Sequence, residues 1–148
     1  VLPIGLIVST LPPAQEVPPD GRTVYTTRCM ACHQANGKGI PGTFPPLDGT
    51  EWVRAEKGRL IRIVLHGMMG PATVQGVRYN GAMPPWGAFL NDEETAAVLT
   101  YVRTAWSNRA DAVTPQEVAA VRAATKDRKN PWTHAELSRP ENAVIPAR

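Results

Sequence analysis

Cys29-Met30-Ala31-Cys32-His33 constrains this chain more than any other stretch. On a helix, residues three apart share a face, so Cys29 and Cys32 stand about a turn from each other. Two thiols so placed can reach the two vinyl groups of one porphyrin and become thioethers. The histidine that follows then lies under the iron, where a neutral imidazole is an ordinary axial donor. The run therefore reads as a c-type haem attachment site, with Cys29, Cys32 and His33 binding the cofactor and His33 also ligating iron. A redox dithiol or half of a zinc site are the competing readings of the pair. A zinc site needs four donors, and the chain has no second cysteine pair, while His66 and His134 stand apart from each other.

The length of 148 residues suits one domain with extensions. Fifteen prolines and twelve glycines imply much loop and little sheet, and few segments alternate apolar and polar with period two. The expected architecture is all-α: several helices wrapped around one covalently attached haem, which supplies apolar core to a small domain. Both cysteines are committed to the haem, leaving none for a disulfide or a lipid anchor. Covalent haem attachment takes place where c-type haem is delivered, so a periplasmic or otherwise extracytoplasmic location is expected. Between Asp20 and Ser107 nine Lys/Arg face seven Asp/Glu, and two haem propionates bring that region near neutrality. The remaining positive excess falls in the C-terminal tail, which gives no case for nucleic-acid binding or for a strongly basic docking face.

Three regions are expected: an extended arm and linker over 1–19, a haem domain over 20–107, and a C-terminal extension over 108–148 with one short helix. The apolar opening stretch Val1–Leu11 is about half a membrane span and carries Pro3 and Gly5, so the given chain has no transmembrane helix of its own. Starting at Val, it reads as processed or cut, and prolines 12, 13, 18 and 19 make a semi-rigid spacer. Asp20 caps a first helix in which Val24 and Tyr25 face inward and Gly21 admits a close helix crossing. The Gly/Pro-rich segment 34–47 is a loop. Either it brings a carbonyl near Pro45 or Pro46 to the second imidazole nitrogen of His33, or its prolines only stiffen it. Thr50 is a possible cap ahead of Trp52, which by default fills core. Leu60 with Val64 and Ile61 with Leu65 mark a helix stopped by Gly67. His66 falls in its last turn as a structural residue.

Met68, Met69 and Met83 compete for the sixth iron position. Met83 is favoured because Gly81 permits a tight turn before it and Pro84 and Pro85 stiffen the backbone after it, whereas Met68 and Met69 follow a helix end closely. Met30, between the cysteines, is sterically excluded. Asn91 caps a long helix whose stripe is Val98, Leu99, Val102, Ala105 and Trp106, with the first helix as packing partner. Thr114-Pro-Gln-Glu117 is a capping box with Val118 and Val121 inward. Trp132 and Leu137 either pack back on the domain or touch a partner, and 139–148 reads as mobile.

Residues from about Asp20 to Ser107 resemble a bacterial class I cytochrome c. The likeness rests on Cys29, Cys32 and His33, on Asn36-Gly-Lys-Gly39, Phe44-Pro-Pro-Leu47, Tyr79-Asn-Gly-Ala-Met-Pro-Pro-Trp86 and Asp92-Glu-Glu-Thr-Ala-Ala-Val-Leu-Thr-Tyr-Val102. It implies an all-helical fold, His33 and Met83 as axial ligands, and single-electron transfer through an exposed haem edge. The expected role is an electron carrier between a donor and an acceptor redox protein, not an enzyme. The alternatives are a permanently bound or tethered haem c subunit of a membrane-associated respiratory or dehydrogenase complex, or a haem enzyme or gas sensor with an open sixth site.

Overall fold

The computed structural model describes residues 17–147. The arm expected over 1–19 lies, but for its last three positions, outside the described residues. In chain order the elements are α1 (Gly21–Arg28), α2 (Met30–His33), α3 (Glu51–Arg54), α4 (Lys57–His66), β1 (Met68–Val74), β2 (Val77–Met83), α5 (Asp92–Thr104), α6 (Pro115–Ala124), α7 (His134–Leu137) and α8 (Pro140–Ala143). No helix among the described residues is long and apolar enough to cross a membrane.

Local signals start the helices where the sequence places them. The Asp20 carboxylate accepts from the amides of Arg22 and Thr23, satisfying two donors that α1 leaves unpaired. Asn91 and Glu94 form a reciprocal capping box on α5, and Thr114 and Glu117 do the same on α6. The central packing is α1 across α5. A Cβ on Gly21 would overlap the Ala97 carbonyl, so glycine sets how closely these helices approach. Beside the crossing, Tyr25 meets Tyr101 at 5.3 Å and Trp106 at 5.4 Å between ring centroids. Such pairs add about 0.5–1.5 kcal/mol beyond their burial. The apolar stripe outruns the helix: α5 ends at Thr104, and Trp106 takes a positive φ of 53° that folds its ring back onto Tyr25.

Residues 68–83 depart from the all-helical expectation. They form an antiparallel hairpin pairing Met68 with Met83 and Val74 with Val77. Its two-residue turn, Gln75 and Gly76 at φ 48° and 76°, has the left-handed conformation at both positions that a twisted hairpin favours. Gly81, expected to make a turn, is instead a strand residue opposite Gly70. The pattern was obscured because Gly70, Pro71 and Gly81 interrupt the apolar alternation on which strand recognition relies.

The C-terminal extension carries α6 and two further single-turn helices, where one short helix was expected. It covers the domain rather than leaving it. Val113, Val118 and Val121 join the main core, while Trp132 and Leu137 form a second cluster with Ile63. Trp132 also pairs with β1 as an isolated parallel bridge, accepting from the Met69 amide and donating to the Gly67 carbonyl, both at 2.9 Å. The segment expected to be mobile from Arg139 onward forms α8, which packs on α4 and buries Ala143. Buried Arg62 of α4 reaches it, donating to the Val144 carbonyl at 2.9 Å.

Buried Arg103 of α5 ties the start of the extension to the domain. It donates to the carbonyls of Val53, Ala55 and Asp111 and to the Asp111 carboxylate. Lys57 approaches the same carboxylate at 3.1 Å and Glu117 at 2.6 Å. Hydrogen bonds from Lys57 and then Arg103 hold the Asp111 carboxyl down to about 2, from an ordinary 3.8.

Two outcomes follow. Gly21→Ala will lower stability by about 1–3 kcal/mol by forcing α1 off α5, read by denaturant unfolding. Because the folded-state pKa of Asp111 is depressed, its contribution is present above its ordinary value and lost as pH falls through about 2. Asp111→Asn will therefore melt below the parent at about pH 5, with the gap closing as pH approaches 2; a gap constant across that window contradicts the linkage.

Candidate cofactor and metal site

His33 is the last residue of α2 and only 8% exposed. Two bonds fix the chain on either side of it: the Tyr25 hydroxyl donates to the Gln34 carbonyl at 2.6 Å, and the Gly39 amide to the His33 carbonyl at 3.0 Å. The loop then closes on itself through Ile40 and Phe44, which form an isolated bridge, and through the amides of Leu47 and Asp48, which share the Gly37 carbonyl. This closure presents the Pro45 carbonyl to His33 Nδ1 at 2.8 Å. The acceptor is thus Pro45, one of the two positions the sequence left open. A carbonyl can only accept, so Nδ1 carries the hydrogen and Nε2 keeps its lone pair. Burial pushes the His33 pKa below its ordinary value, against a smaller opposite pull from the Pro45 bond. The ring is neutral, oriented, and free to donate electrons at Nε2.

Cys29 and Cys32 flank this helical turn, both half-buried and unpaired. Burial, and then proximity to Cys32, pushes the Cys29 thiol up to about 11. A thiol this hard to ionise is a poor reducing nucleophile, which counts against the redox-dithiol reading. Among the described residues, no three of His, Cys, Asp and Glu gather as a metal site, which counts against zinc.

Met83 ends β2, and three contacts fix the chain around it. Gly67, the residue after α4, has φ 76°, and a Cβ there would lie 2.5 Å from the Met83 carbonyl oxygen and 3.0 Å from the Pro85 nitrogen. Both the left-handed backbone and the close approach require glycine. Beyond the two prolines, the Trp86 amide donates to the Val64 carbonyl at 2.8 Å and the Gly87 amide to the Leu65 carbonyl at 3.1 Å. These are carbonyls of the last helical turn, which lack helical partners. From the extension, Arg122 donates to the carbonyls of Gly87 and Leu90 at 2.6 and 2.9 Å and pairs with Asp92 at 2.8 Å. Arg122 was not singled out in the sequence, because nothing in its helical spacing shows which carbonyls it meets.

The other candidates take supporting positions. Met68 lies directly across from Met83, and Met69 is 47% exposed. Trp52 donates from Nε1 to the Thr73 carbonyl at 3.0 Å and stacks near Arg59 and His134, bracing the hairpin. His66 Nε2 is 2.7 Å from the Thr125 hydroxyl of the extension and so is structural. A buried, uncharged Asn108 joins the loop to α5, accepting from the Gly49 amide and donating to the carbonyls of Leu47 and Val102. This residue, taken in the sequence only as the start of the tail, is a missed part of the site's frame.

The donor set suits a covalently held iron porphyrin: two unpaired thiols on one helical turn, a neutral imidazole with a free Nε2, and a thioether on a stiffened loop. The Ile63, Trp132 and Leu137 cluster packs against Met68 and Met83, and the buried Trp132 Nε1–H finds no acceptor among the described residues. It is a donor left for a group that the protein does not itself supply. Exposed apolar side chains stand on the segment after His33 and on the segment after Met83. Phe89 is 65% and Ile40 42% exposed, and Trp86 lies between Phe89 at 6.1 Å and the Arg28 guanidinium at 5.5 Å.

The cytochrome c family model matches residues 19–106, well over half the chain. A cytochrome c-552 of Thermus thermophilus is 42% identical over 125 residues, spanning 70% of this chain and 94% of the relative. The gluconate 2-dehydrogenase cytochrome c subunit of Pantoea cypripedii is 37% identical over 108 residues, spanning 69% of this chain and 24% of that protein. The quinone alcohol dehydrogenase cytochrome c subunit of Gluconobacter oxydans is 34% identical over 91 residues, spanning 61% of this chain and 19% of that protein. This chain thus matches the c-552 over nearly its whole length and the dehydrogenase subunits over about a quarter or less of theirs. The chain belongs to the cytochrome c family, whose work is electron transfer through a covalently bound haem c.

Proposed function

We propose that Cys29 and Cys32 carry the thioethers, that His33 and Met83 are the axial ligands, and that the chain is a one-electron carrier between redox proteins outside the cytoplasm. The observation that carries this reading is the 2.8 Å bond between His33 Nδ1 and the Pro45 carbonyl, which makes a buried, neutral imidazole available at Nε2. The haem, when bound, supplies an iron that cycles between ferrous and ferric. The remaining contributions come from the chain. Pro45 holds the imidazole in one tautomer and one orientation. Gly67 and the α4 carbonyls hold the backbone around Met83, which would limit the movement of a ligating sulfur between oxidation states. A thioether donor and an apolar surround both favour the reduced state and raise the potential.

With His33 and Met83 both assigned to the iron, a bound haem would keep no open coordination site for a substrate. This supports a carrier over a haem enzyme or gas sensor. The choice between a carrier and a permanent subunit rests on the extension. Its apolar residues Val113, Val118, Val121, Trp132, Leu137 and Ala143 are spent in this chain's own core rather than left for another subunit. Exposed Phe89, beside half-buried Trp86, then suits a brief, small contact with a donor or acceptor.

The oxidised protein should show the weak far-red band of methionine sulfur on ferric iron. Met83→His should abolish that band, keep the haem covalently attached, and lower the potential by a sizeable part of the roughly 0.8 V range that axial ligation spans. A band that persists in that variant when Met68 is also replaced by Leu sinks the assignment of Met83. As a carrier, the native protein should leave gently lysed cells as a monomer on size-exclusion chromatography; persistent co-migration with a membrane dehydrogenase would favour the subunit reading.

A further inference from the structure

Met68 and Met83 are register partners at the open end of the hairpin. Residues directly opposite in an antiparallel pair project to the same face, with Cβ atoms about 4.5–5.5 Å apart. Burial alternates along β1, leaving Met68 half-buried and Met69 turned outward. Met68 and Met83 also pack against the same Ile63, Trp132 and Leu137 cluster. The backbone bearing Met68 is fixed from both sides, by the Gly67 amide on the Ile63 carbonyl at 2.7 Å and by the two bonds to Trp132. A second unbranched thioether, with three rotatable side-chain bonds, thus stands one strand spacing, about 4.8 Å, from the first.

We propose that Met68 is a second axial donor to the haem iron, taking the sixth position when the Met83 sulfur is lost. The inference rests on the reading of Met83 as the resident ligand. The exchange breaks one iron–sulfur bond and forms another. Both donors are neutral thioethers, so no proton or electron moves and the charge of the site is unchanged. The objection raised by sequence, that Met68 follows a helix end too closely, disappears once residue 67 turns the chain into a strand that runs beside Met83.

The test compares haem-loaded Met83→Ala, Met68→Leu and the double variant. Met83→Ala should retain the far-red sulfur band and low-spin spectra, and its reduced form should resist carbon monoxide. The double variant should lose the band, become high-spin and bind carbon monoxide readily. If Met83→Ala alone loses the band and binds carbon monoxide, Met68 is no second donor, while the assignment of Met83 stands. If Met68→Leu alone abolishes the band, Met68 is the resident ligand, and both the proposal and the Met83 assignment fall. A measurement on the unaltered sequence guards against a variant that does not fold. With methyl-labelled methionine, the reduced protein should show the Met68 ε-methyl displaced by the porphyrin ring current, assigned by its loss in Met68→Leu. A Met68 methyl at an ordinary methionine position overturns the proposal.

Discussion

The last turn of α4 is the junction on which the distal half of the molecule depends. A helix end leaves carbonyls without partners, and burying them unpaired would cost about 1–3 kcal/mol each. Here they are used: Val64 and Leu65 hold the segment after Met83, and Gly67 accepts from Trp132 of the extension. Two stretches far apart in sequence are thereby fixed at one helix end. The glycine that ends the helix is also the residue against which the Met83 backbone rests.

The C-terminal extension reaches the same junction by a different means. Its attachment relies on arginines that donate to backbone carbonyls rather than on carboxylates alone. Arg122 spans from α6 to Gly87, Leu90 and Asp92; Arg62 reaches from α4 to Val144; Arg103 reaches from α5 to Asp111. The planar guanidinium, with five donors, is suited to collecting several carbonyls at once. Consequently part of the positive charge counted in the tail is spent inside the chain, while Lys126, Lys129 and Arg139 stay exposed. Arg122 is paired with Asp92 and Arg128 with Glu136, and Arg128 also stacks on Trp132 at 3.4 Å.

Local chemistry made the proximal half legible in the sequence. Caps at Asp20, Thr50, Asn91 and Thr114 and the α1–α5 crossing at Gly21 were readable, because each depends on residues close in sequence or on a helical stripe; a carbonyl near Pro45 or Pro46 for His33 was one of two open readings of its loop, and the structure takes it at Pro45. The distal half was less so. The Gln75-Gly76 pair between Val74 and Val77 was an available hairpin signal, but the glycines and Pro71 in the flanking strands masked it. The roles of Asn108, Arg103 and Arg122 were not readable at all. Their partners lie up to 61 residues away, as with Asn108 and Leu47, and a polar side chain shows no periodicity that names a distant carbonyl.

This division bears on how the protein would carry electrons. The His33–Pro45 bond is made between neighbouring segments, α2 and the closed loop, and that loop is clamped from the far end of α5 by Trp106 and Asn108. The Met83 side is assembled from α4, the hairpin and α6, and its rigidity is borrowed from packing that includes the extension. Loosening α6 would release Arg122 from Gly87 and Leu90 and free the segment just after Met83, with the His33–Pro45 bond untouched. On the proposed ligation by His33 and Met83, one-electron transfer needs both sides equally still in both oxidation states, and on the Met83 side it is the extension that completes this restraint.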